Sequence, residues 1–308
     1  MKQMDGIINL NKPAGISSHG AVATVRRLVP GVKVGHGGTL DPAATGVLPL
    51  CLGRATRIAE YLFELRKGYR ATITLGVSTT TGDAEGAVIS RSEIPCLEQE
   101  SIKKIFRSLT GVHQQKVPAY AAVKHRGRPL YDYARHGEEV PVKKRTVEIY
   151  RLELLSFCPL AAAQIICEVE CSRGTYIRAL AVEIGHLLGC GAHLHTLERL
   201  FVGPFKIDTA IPPEQLAAAA AAGELKKMLL PMDRALLHFE TLTVSDEIVE
   251  DLRAGRAVSR SKLGPAGAVL PTGYPVRVYD LQGQFKALAR CEEVESGTFL
   301  KTVKFLAP

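Results

Sequence analysis

The residues from Gly35 to Leu50 read GHGGTLDPAATGVLPL, a block of glycines, prolines and small apolar side chains around one carboxylate, Asp41. No other acidic residue lies between Asp5 and Glu60, and basic residues stand on both sides of the block. Glycine and proline at this density favour a loop over a regular helix or strand. An aspartate in an apolar loop with basic neighbours is poorly placed for surface solvation and well placed for chemistry on an anionic substrate.

Length and composition predict a globular protein of about two domains. The chain has 308 residues, of which 46% are hydrophobic, and no apolar run reaches the roughly 18 residues that a bilayer crossing needs. Its first ten residues lack the apolar core of a secretory signal, so we expect a cytoplasmic protein. The seven cysteines include no CxxC pair, which favours reduced thiols over disulfides or a zinc site.

The formal net charge of +8 is unevenly distributed. Residues 240–308 hold nine basic and nine acidic residues, so the whole excess lies in residues 1–239. Within residues 114–145, eight basic residues accompany three acidic ones, a net charge of +5. Such a segment is either a solvated basic loop or a surface that follows a phosphate backbone.

Periodicity and turn signals predict alternating strands and helices up to about Phe239, followed by a small and mostly β unit. We therefore expect domains at 1–238 and 239–308. The predicted elements are strands at 5–10, 68–77, 146–156 and 163–171, helices at 18–28 (capped by Ser17 or Ser18), 55–63, 98–109 and 176–188, a strand or turn at 196–205, and C-terminal strands at 276–279, 284–290 and 299–305.

Asp41 has three interpretations on local grounds: a turn-stabilising side chain before Pro42, a general base, or a nucleophile. The sequence RGTYIR, from Arg173 to Arg178, supplies a partner for the last two. Arg178 is predicted on the first turn of a helix, where its guanidinium can clamp a carboxylate in two places and keep it charged. Tyr176 can stack on a base or move a proton; the alternative is that Tyr176 packs and Arg178 lies at the surface.

Tyr69 opens an alternating strand and points inward with Ala71 and Ile73, as a core residue or as a platform for a nucleobase. The sequence lacks the phosphate-binding loop GxxxxGK[ST], the GxSxG elbow, HExxH, and GxGxxG after a strand. An enzyme of this sequence is therefore expected to work without a metal, a nucleotide cofactor or a covalent Ser or Cys.

Six motifs in a fixed order give the chain a resemblance to the bacterial tRNA pseudouridine-55 synthases of the TruB family, and they span nearly all of residues 5–235. The block around Asp41 is highly specific, and the C-terminal part is similar, more weakly, to a PUA domain. The motifs are GIINLNKPAG (6–15), GHGGTLDPAATGVLP (35–49), KGYR (67–70), VPAYAAVK (117–124), RGTYIR (173–178) and GCGAH (189–193).

The resemblance implies an α/β (α+β) pseudouridine synthase fold with a mixed, largely antiparallel sheet, and a small β-barrel-like PUA domain. It implies the isomerisation of one uridine in the tRNA T-loop to pseudouridine, without a cofactor. The site residues implied are Asp41 as nucleophile, Tyr69 as a base-stacking residue, Tyr176 as a stacking residue that also moves a proton, Arg178 as the partner of the carboxylate, His36 as the side chain that enters the RNA stack, and Leu197 as a pocket-lining residue.

The resemblance also implies a flexible RNA-clamping insertion at about 114–145. The expected partner is tRNA, bound through its T-loop and T-stem and through its acceptor end by the PUA-like domain; we expect a monomer and no membrane. Many family members carry Thr or Ser where this chain has Gly37, so a hydroxyl contact is expected to be missing. The expected RNA contacts are Lys12, Lys124, Arg126, Arg128, Lys143, Lys144 and Arg145.

Three questions stay open at this point. The sequence does not distinguish attack by Asp41 on the sugar C1′ from proton abstraction at C2′ in a glycal route. A tRNA-binding chaperone without turnover would use the same surface, although the intact Asp41, Tyr69 and Arg178 argue against it. A guide-dependent catalytic subunit of the eukaryotic and archaeal type is disfavoured by the short chain, which lacks long basic tails.

Overall fold

The computed structural model describes residues 4–121, 123–141, 143–158 and 163–307, apart from the side chains of residues 135, 266 and 268. The strands of this part of the chain are β1 (Gly6–Lys12), β2 (Val34–His36), β3 (Thr45–Leu52), β4 (Lys67–Leu75), β5 (Val77–Thr79), β6 (Val88–Arg91), β7 (Gly111–Lys116), β8 (Lys124–His125), β9 (Arg128–Pro129), β10 (Lys144–Cys158), β11 (Gln164–Cys171), β12 (Ala192–Val202), β13 (Phe205–Lys206), β14 (Thr241–Thr243), β15 (Val258–Ser259), β16 (Pro275–Tyr279), β17 (Phe285–Val294) and β18 (Gly297–Phe305).

The α-helices are α1 (Ser18–Leu28), α2 (Ala59–Glu64), α3 (Gln99–Leu109), α4 (Leu130–Arg135), α5 (Ile177–Leu187), α6 (Pro213–Ala221), α7 (Asp246–Arg253) and α8 (Gly264–Ala268), and 3-10 segments lie at Gly53–Ile58, Ile207–Thr209, Leu225–Met228, Met232–Leu236 and Arg260–Leu263. Among the described residues, no helix combines the length and apolar character that a bilayer crossing requires.

One large sheet carries the N-terminal two thirds of the chain. Its strand order is β1-β3-β12-β4-β11-β10-β7, with β2 added to β3 and β13 added to β12. The pairs are antiparallel except β3 with β12, which is parallel. The predicted mixed and largely antiparallel sheet is therefore confirmed. Strand β4 lies near its centre, where Tyr69 is paired with Val169 on one side and Arg199 on the other.

Two apolar layers cover the sheet. Helices α3 and α5 pack on strands β4, β10 and β11, and this layer includes Cys167 and Cys171, which share the buried face that their spacing predicts. Helices α1 and α6 pack on strands β1 and β3. Burial of alternate side chains on the strands against one stripe of each helix stabilises both layers.

Local chemistry accounts for where the helices begin. Ser17 accepts a hydrogen bond from the N–H of Gly20 at 3.0 Å, which confirms the predicted cap of α1. The single helix predicted at 55–63 is wrong at its start: a 3-10 segment precedes α2. The hydroxyl of Thr56 donates to the carbonyl of Gly53 at 2.8 Å, and such back-bonding competes with regular α-helical hydrogen bonds. The strand or turn predicted at 196–205 is a strand that begins earlier, at Ala192.

The C-terminal strands form a separate five-stranded half-barrel in the order β14-β16-β17-β18-β15. This agrees with the predicted small β unit. The half-barrel has its own apolar core, and Leu288 and Leu306 also join a second core with the 3-10 segment 53–58 and helix α2. Arg57 donates to the carbonyl of Phe305 at 2.6 Å, and Lys304 pairs with Glu60 at 2.9 Å. Apolar and polar contacts therefore join the two sheets.

Gly46 is a point where the parallel pair β3–β12 leaves no room for a side chain. Its φ is +98°, and a Cβ there would overlap the backbone nitrogen and carbonyl oxygen of Arg199. We predict that Gly46→Ala lowers the free energy of unfolding by about 2–5 kcal/mol, because backbone strain and overpacking add. Gly20→Ala, within α1, is the matched control and should raise it by about 0.5–1 kcal/mol. Urea denaturation measures both, and an unchanged midpoint for Gly46→Ala would contradict the prediction.

Candidate active site

The loop that carries Asp41 is held by its two ends. Strand β2 pairs with β3 in antiparallel register, His36 opposite Leu50, so residues 37–44 form a closed loop between them. The N–H of Ala44 donates to the carbonyl of Asp41 at 3.1 Å, and the N–H of Gly15 donates to the carbonyl of Pro42 at 3.0 Å. The Asp41 side chain remains 43% exposed, which leaves the carboxylate accessible to a ligand.

Arg178 meets Asp41 as the sequence predicts. Helix α5 begins at Ile177, so Arg178 lies on its first turn, and its side chain is only 7% exposed. Its Nε lies 3.0 Å from Asp41 Oδ2, and Nη2 lies 3.5 Å from Oδ1. The Nε–H makes no aligned hydrogen bond, so the closer contact is an ion pair rather than a directed hydrogen bond. A buried guanidinium at this distance attracts the carboxylate through a direct charge–charge contact.

Asp83 is a second carboxylate that the sequence analysis missed. Its Oδ2 lies 3.5 Å from Arg178 Nη1, whereas Asp41 contacts Nε and Nη2 of the same guanidinium. Arg178 also donates to the carbonyls of Thr81 at 3.2 Å and Tyr120 at 3.1 Å. Asp83 lies in the polar run TTTGDAEG (79–86) between the paired strands β5 and β6, and an acidic residue in such a turn is the sequence signal that could have indicated it.

Three buried cations lie beneath the Asp41 loop. Arg199 is fully buried and donates to the carbonyls of Val47 at 2.7 Å, Gly38 at 3.1 Å and Thr39 at 3.3 Å. Burial lowers the pKa of Arg199, whose charge is satisfied by these backbone oxygens. Hydrogen bonds to a charged donor are worth about 1.5–3 kcal/mol each, which offsets part of the desolvation cost.

The other two cations are Lys12 and Lys67, and burial is the main cause that lowers the pKa of each to about 8. Lys12 donates to the carbonyls of Pro13, Ile16 and Pro42 at 2.8–3.1 Å, and its side chain has no exposed surface. The prediction that Lys12 contacts RNA is therefore not supported: its ammonium is already used to tie Pro42, next to Asp41, to the turn after β1.

One cavity of about 330 Å³ opens in front of Asp41. It brings together five of the residues predicted for the site, Asp41, Tyr69, Tyr176, Arg178 and Leu197, from four different segments of the chain. Its other lining residues are Gly38, Thr39, Leu40, Phe63, Lys67, Tyr120, Ala121, Val123, Ser172, Gly174, Thr175 and Ile177.

Two of the three tyrosines that line the cavity, Tyr69 and Tyr176, are neutral phenols. Burial raises the pKa of Tyr69 to about 12, against the lowering effect of the neighbouring Arg199 charge. Burial also raises the pKa of Tyr176, again partly offset by Arg145 and Arg178. At neutral pH the cavity therefore offers aromatic faces and neutral hydroxyls, with Asp41 and Arg178 as the charged pair at one side.

His36 lies at the rim of the cavity rather than in it. Its ring is 5.2 Å from that of His19 and 6.1 Å from that of Phe63, which lines the cavity. The Gly38 N–H donates to its Nδ1 at 3.4 Å, so the ring is neutral. Burial, and then the neighbouring His19, lower the pKa of His36 to about 4.

Gly37 allows helix α2 to approach this rim. A Cβ at position 37 would overlap the Cβ, Cγ and Cδ1 atoms of Leu62, which fill the space instead. The next residue along α2 is Phe63. Gly37 therefore permits close packing of the helix that brings Phe63 beside His36.

The basic segment 114–145 divides into exposed cations and cations used internally. Arg126 has a φ of +47° and shares the tip of the β8–β9 hairpin with Gly127, as in a two-residue turn with both central residues left-handed. Arg128 instead pairs with Asp132 at 2.7 Å and Glu138 at 2.8 Å. This pairing within the segment does not support the predicted RNA contact of Arg128.

The remaining predicted RNA contacts lie near the base of the segment. The side chains of Lys124 and Lys144 are exposed, and Lys143 donates to the Lys124 carbonyl at 2.6 Å. Arg145 donates to the Gly174 carbonyl at 3.3 Å and lies 5.9 Å from the centre of the Tyr176 ring. Arg145 therefore belongs to the wall beside the cavity rather than to an outer surface.

We predict that His36 makes unfolding depend on pH. Its folded pKa of about 4 lies below its unfolded value of about 6.5, so the unfolded chain binds the extra proton between these values. The contribution of His36 to the free energy of unfolding is therefore complete above pH 6.5 and is lost as the pH falls towards 4. Urea unfolding at pH 4.5 and 6.5 should show a smaller difference for His36→Gln than for the natural chain. His186→Gln, on the exposed face of α5, is the control, and equal slopes in both variants would contradict the assignment.

Comparison with known proteins gives two family models that match adjoining parts of the chain. The model of the TruB family pseudouridylate synthase (N-terminal domain) matches residues 26–177, and that of the tRNA pseudouridylate synthase B C-terminal domain matches residues 178–237. The two models meet on the first turn of α5. The ion pair of the site thus joins Asp41 from one matched region to Arg178 from the other.

Curated relatives match over most of their length. The chain is 44% identical over 256 residues to a tRNA pseudouridine synthase B of Geobacillus thermodenitrificans, covering 82% of this chain and 85% of that protein. It is 40% identical over 305 residues to one of Dehalococcoides mccartyi, covering 99% and 98%. Among solved structures, a Cbf5-Nop10-Gar1 complex contains a chain that is 26% identical with a TM-score of 0.75, covering 99% of this chain and 86% of that one.

Proposed function

The chain belongs to the TruB family of pseudouridylate synthases and is a tRNA pseudouridine synthase, an isomerase; from this premise we propose that its target is uridine 55 in the T-loop of tRNA. One observation carries the proposal: an accessible carboxylate, Asp41, is paired with a buried arginine at the side of a cavity that two neutral tyrosines line. The motif block that contains Asp41 is a highly specific part of the resemblance to the TruB family, and this supports the proposal.

The target nucleotide has to leave the folded RNA loop to reach this cavity. Extrusion costs a few kcal/mol of lost stacking. Stacking on a tyrosine ring returns roughly 1–3 kcal/mol, and Tyr69 and Tyr176 present such rings inside the cavity. His36, neutral and at the rim, is placed to occupy the gap that the uridine leaves in the RNA stack.

The reaction breaks the C1′–N1 bond, turns the uracil, and forms a C1′–C5 bond; the proton on C5 is lost and N1 gains one. Asp41 either attacks C1′ directly or receives the proton from C2′ in a glycal route, and both routes need the anionic carboxylate. The positive charge of Arg178, whose Nε lies 3.0 Å from Asp41 Oδ2, favours that anionic form. Tyr176 has a neutral hydroxyl at neutral pH and can therefore exchange a proton without first being ionised.

Affinity for tRNA comes from cations around the cavity. Four of the predicted RNA contacts on the 114–145 segment remain candidates: Lys124, Arg126, Lys143 and Lys144. Arg145 instead belongs to the wall beside the cavity. A left-handed arginine at a hairpin tip is uncommon, and such residues are frequent at functional sites. We assign this segment the role of an RNA clamp.

We assign residues 1–238 to the catalytic domain and 239–308 to a PUA-like domain that contacts the tRNA acceptor end. The neutral charge of residues 240–308 means that this contact relies on local geometry rather than on net charge. The proposed enzyme acts in the cytoplasm as a monomer. No observation on the site favours a chaperone that binds tRNA without turnover, and the assay below separates it from an enzyme.

Asp41→Asn tests the role of the carboxylate. We predict that isomerisation is abolished, because an amide neither attacks C1′ nor accepts the C2′ proton, whereas tRNA affinity stays within about tenfold, because phosphate contacts elsewhere supply it. Tritium release from C5-labelled uridine in a tRNA transcript measures turnover, and a transcript with cytidine at position 55 is the substrate control. Turnover near that of the natural enzyme in the Asp41→Asn variant would refute the role, and no turnover by the natural enzyme would favour the chaperone.

The proposed clamp predicts the salt dependence of binding. Each lost phosphate contact reduces the slope of log K against log salt by about 0.7–0.9. The double variant Arg126→Asn, Lys144→Gln should therefore bind more weakly, with a slope shallower by about 1.4–1.8. Asparagine tolerates the left-handed backbone at position 126, so the hairpin is kept. Lys103→Gln with Lys104→Gln, on α3, is the control pair; an equal reduction there would show a general charge effect instead of a clamp.

A further inference from the structure

Gln115 is a buried amide that the mechanism above does not use. It lies on the edge strand β7, is 2% exposed, and stands opposite Arg145 in the β7–β10 register. Its Oε1 accepts a hydrogen bond from the backbone N–H of Tyr176 at 2.8 Å, and its Nε2 donates to the carbonyl of Tyr176 at 3.1 Å. One side chain therefore holds both polar groups of a single peptide residue 61 positions away.

The residue that Gln115 holds is the cap position of α5. No side chain caps that helix through Tyr176 itself, and the Tyr176 carbonyl also accepts the N–H of Leu180 at 3.1 Å. Arg178 follows on the first turn. The backbone at Tyr176 fixes both the direction of the tyrosine ring and the start of the helix. The Gln115 amide therefore influences the positions of two groups beside Asp41, the Tyr176 ring and the Arg178 guanidinium.

Gln115 also lies at the root of the segment that covers the cavity. Two residues later, the N–H of Val117 bonds to the carbonyl of Lys143 at 2.8 Å and closes the base of that segment. The segment returns to the site at Tyr120, whose carbonyl accepts from Arg178, and its small core of Val117, Ala121 and Leu130 packs against the Tyr176 side chain. The covering segment and the α5 start are therefore joined at two points.

We propose that Gln115 is a positioning residue for the isomerisation: its amide fixes Tyr176, and through the α5 start Arg178, in register with the base of the RNA-clamping segment. The inference rests on the proposed function and deepens it. Gln115 touches none of the reacting atoms. It orients Tyr176 for stacking on the flipped base, and a displacement of about 1 Å at such a position is enough to cost a hundredfold in rate.

The amide makes this role separable from simple packing. Gln115→Met keeps the length and apolar volume of the side chain and removes both hydrogen bonds. Gln115→Glu keeps an acceptor for the Tyr176 N–H but, when ionised, sets a negative oxygen against the Tyr176 carbonyl. Gln164→Met is the matched control, since Gln164 lies at the far end of β11 and, among the residues that the structure describes, its Nε2 donates to Thr74 at 3.3 Å and to no group of the site.

The experiment measures two quantities: the single-turnover rate with enzyme in saturating excess over tRNA, and the dissociation constant for tRNA. Under saturating conditions the rate reports only on enzyme that is folded and bound to tRNA. For Gln115→Met and Gln115→Glu we expect the rate at saturation to fall by about 10–100-fold, with the dissociation constant within about threefold. The control should match the natural chain in both.

Two outcomes overturn the proposal. A saturating rate within twofold of the natural chain in both variants shows that the hydrogen bonds do not position Tyr176. Weaker binding with an unchanged saturating rate shows that Gln115 serves only to hold the clamp. The natural chain is assayed alongside, so that loss of its own turnover on uridine 55 would count against the proposed function and not against Gln115.

Discussion

The guanidinium of Arg178 is the contact on which the rest of the site depends. It binds Asp41 on one side and Asp83 on the other, and its remaining donors reach the carbonyls of Thr81 and Tyr120. Two carboxylates within 3.5 Å of one guanidinium both gain from its charge, which offsets their mutual repulsion. Three segments converge on this one side chain: the loop between β2 and β3, the turn between β5 and β6, and the segment after β7. The position of Arg178 on α5 therefore fixes the geometry of the cavity.

The Asp41 loop is supported from below by cations that use backbone oxygens instead of carboxylates. The side chains of Arg199, Lys12 and Lys67 each donate hydrogen bonds to backbone carbonyls. Carbonyl oxygens carry no net charge, so the positive charge under the loop is not neutralised as it would be in an ion pair. A fixed array of this kind needs little reorganisation when negative charge develops nearby, which is how preorganised sites stabilise transition states. Asp41 is thereby the exposed anionic member of a site whose supporting cations are buried.

The sequence predicted the residues whose chemistry is local and missed those whose role is set by distant contacts. Asp41, Tyr69, Tyr176 and Arg178 lie in motifs and meet, together with Leu197, in one cavity. Asp83 was missed because nothing in a polar turn shows which buried cation it faces, and Gln115 because an edge-strand glutamine looks solvent-exposed until the fold buries it. Lys12 was misplaced for the same reason: charge suggests exposure, and only the fold shows three carbonyls around the ammonium. Strand order and the parallel β3–β12 pair likewise depend on contacts across more than a hundred residues.

The C-terminal half-barrel shares an apolar core with the 3-10 segment and helix α2 that follow β3. Helix α2 also supplies Leu62 and Phe63 at the rim of the cavity. The C-terminal half-barrel is thus part of the scaffold that supports α2 behind the rim of the cavity. During evolution, its loss or exchange for another module would uncover the back of α2, so the two units are constrained to diverge together.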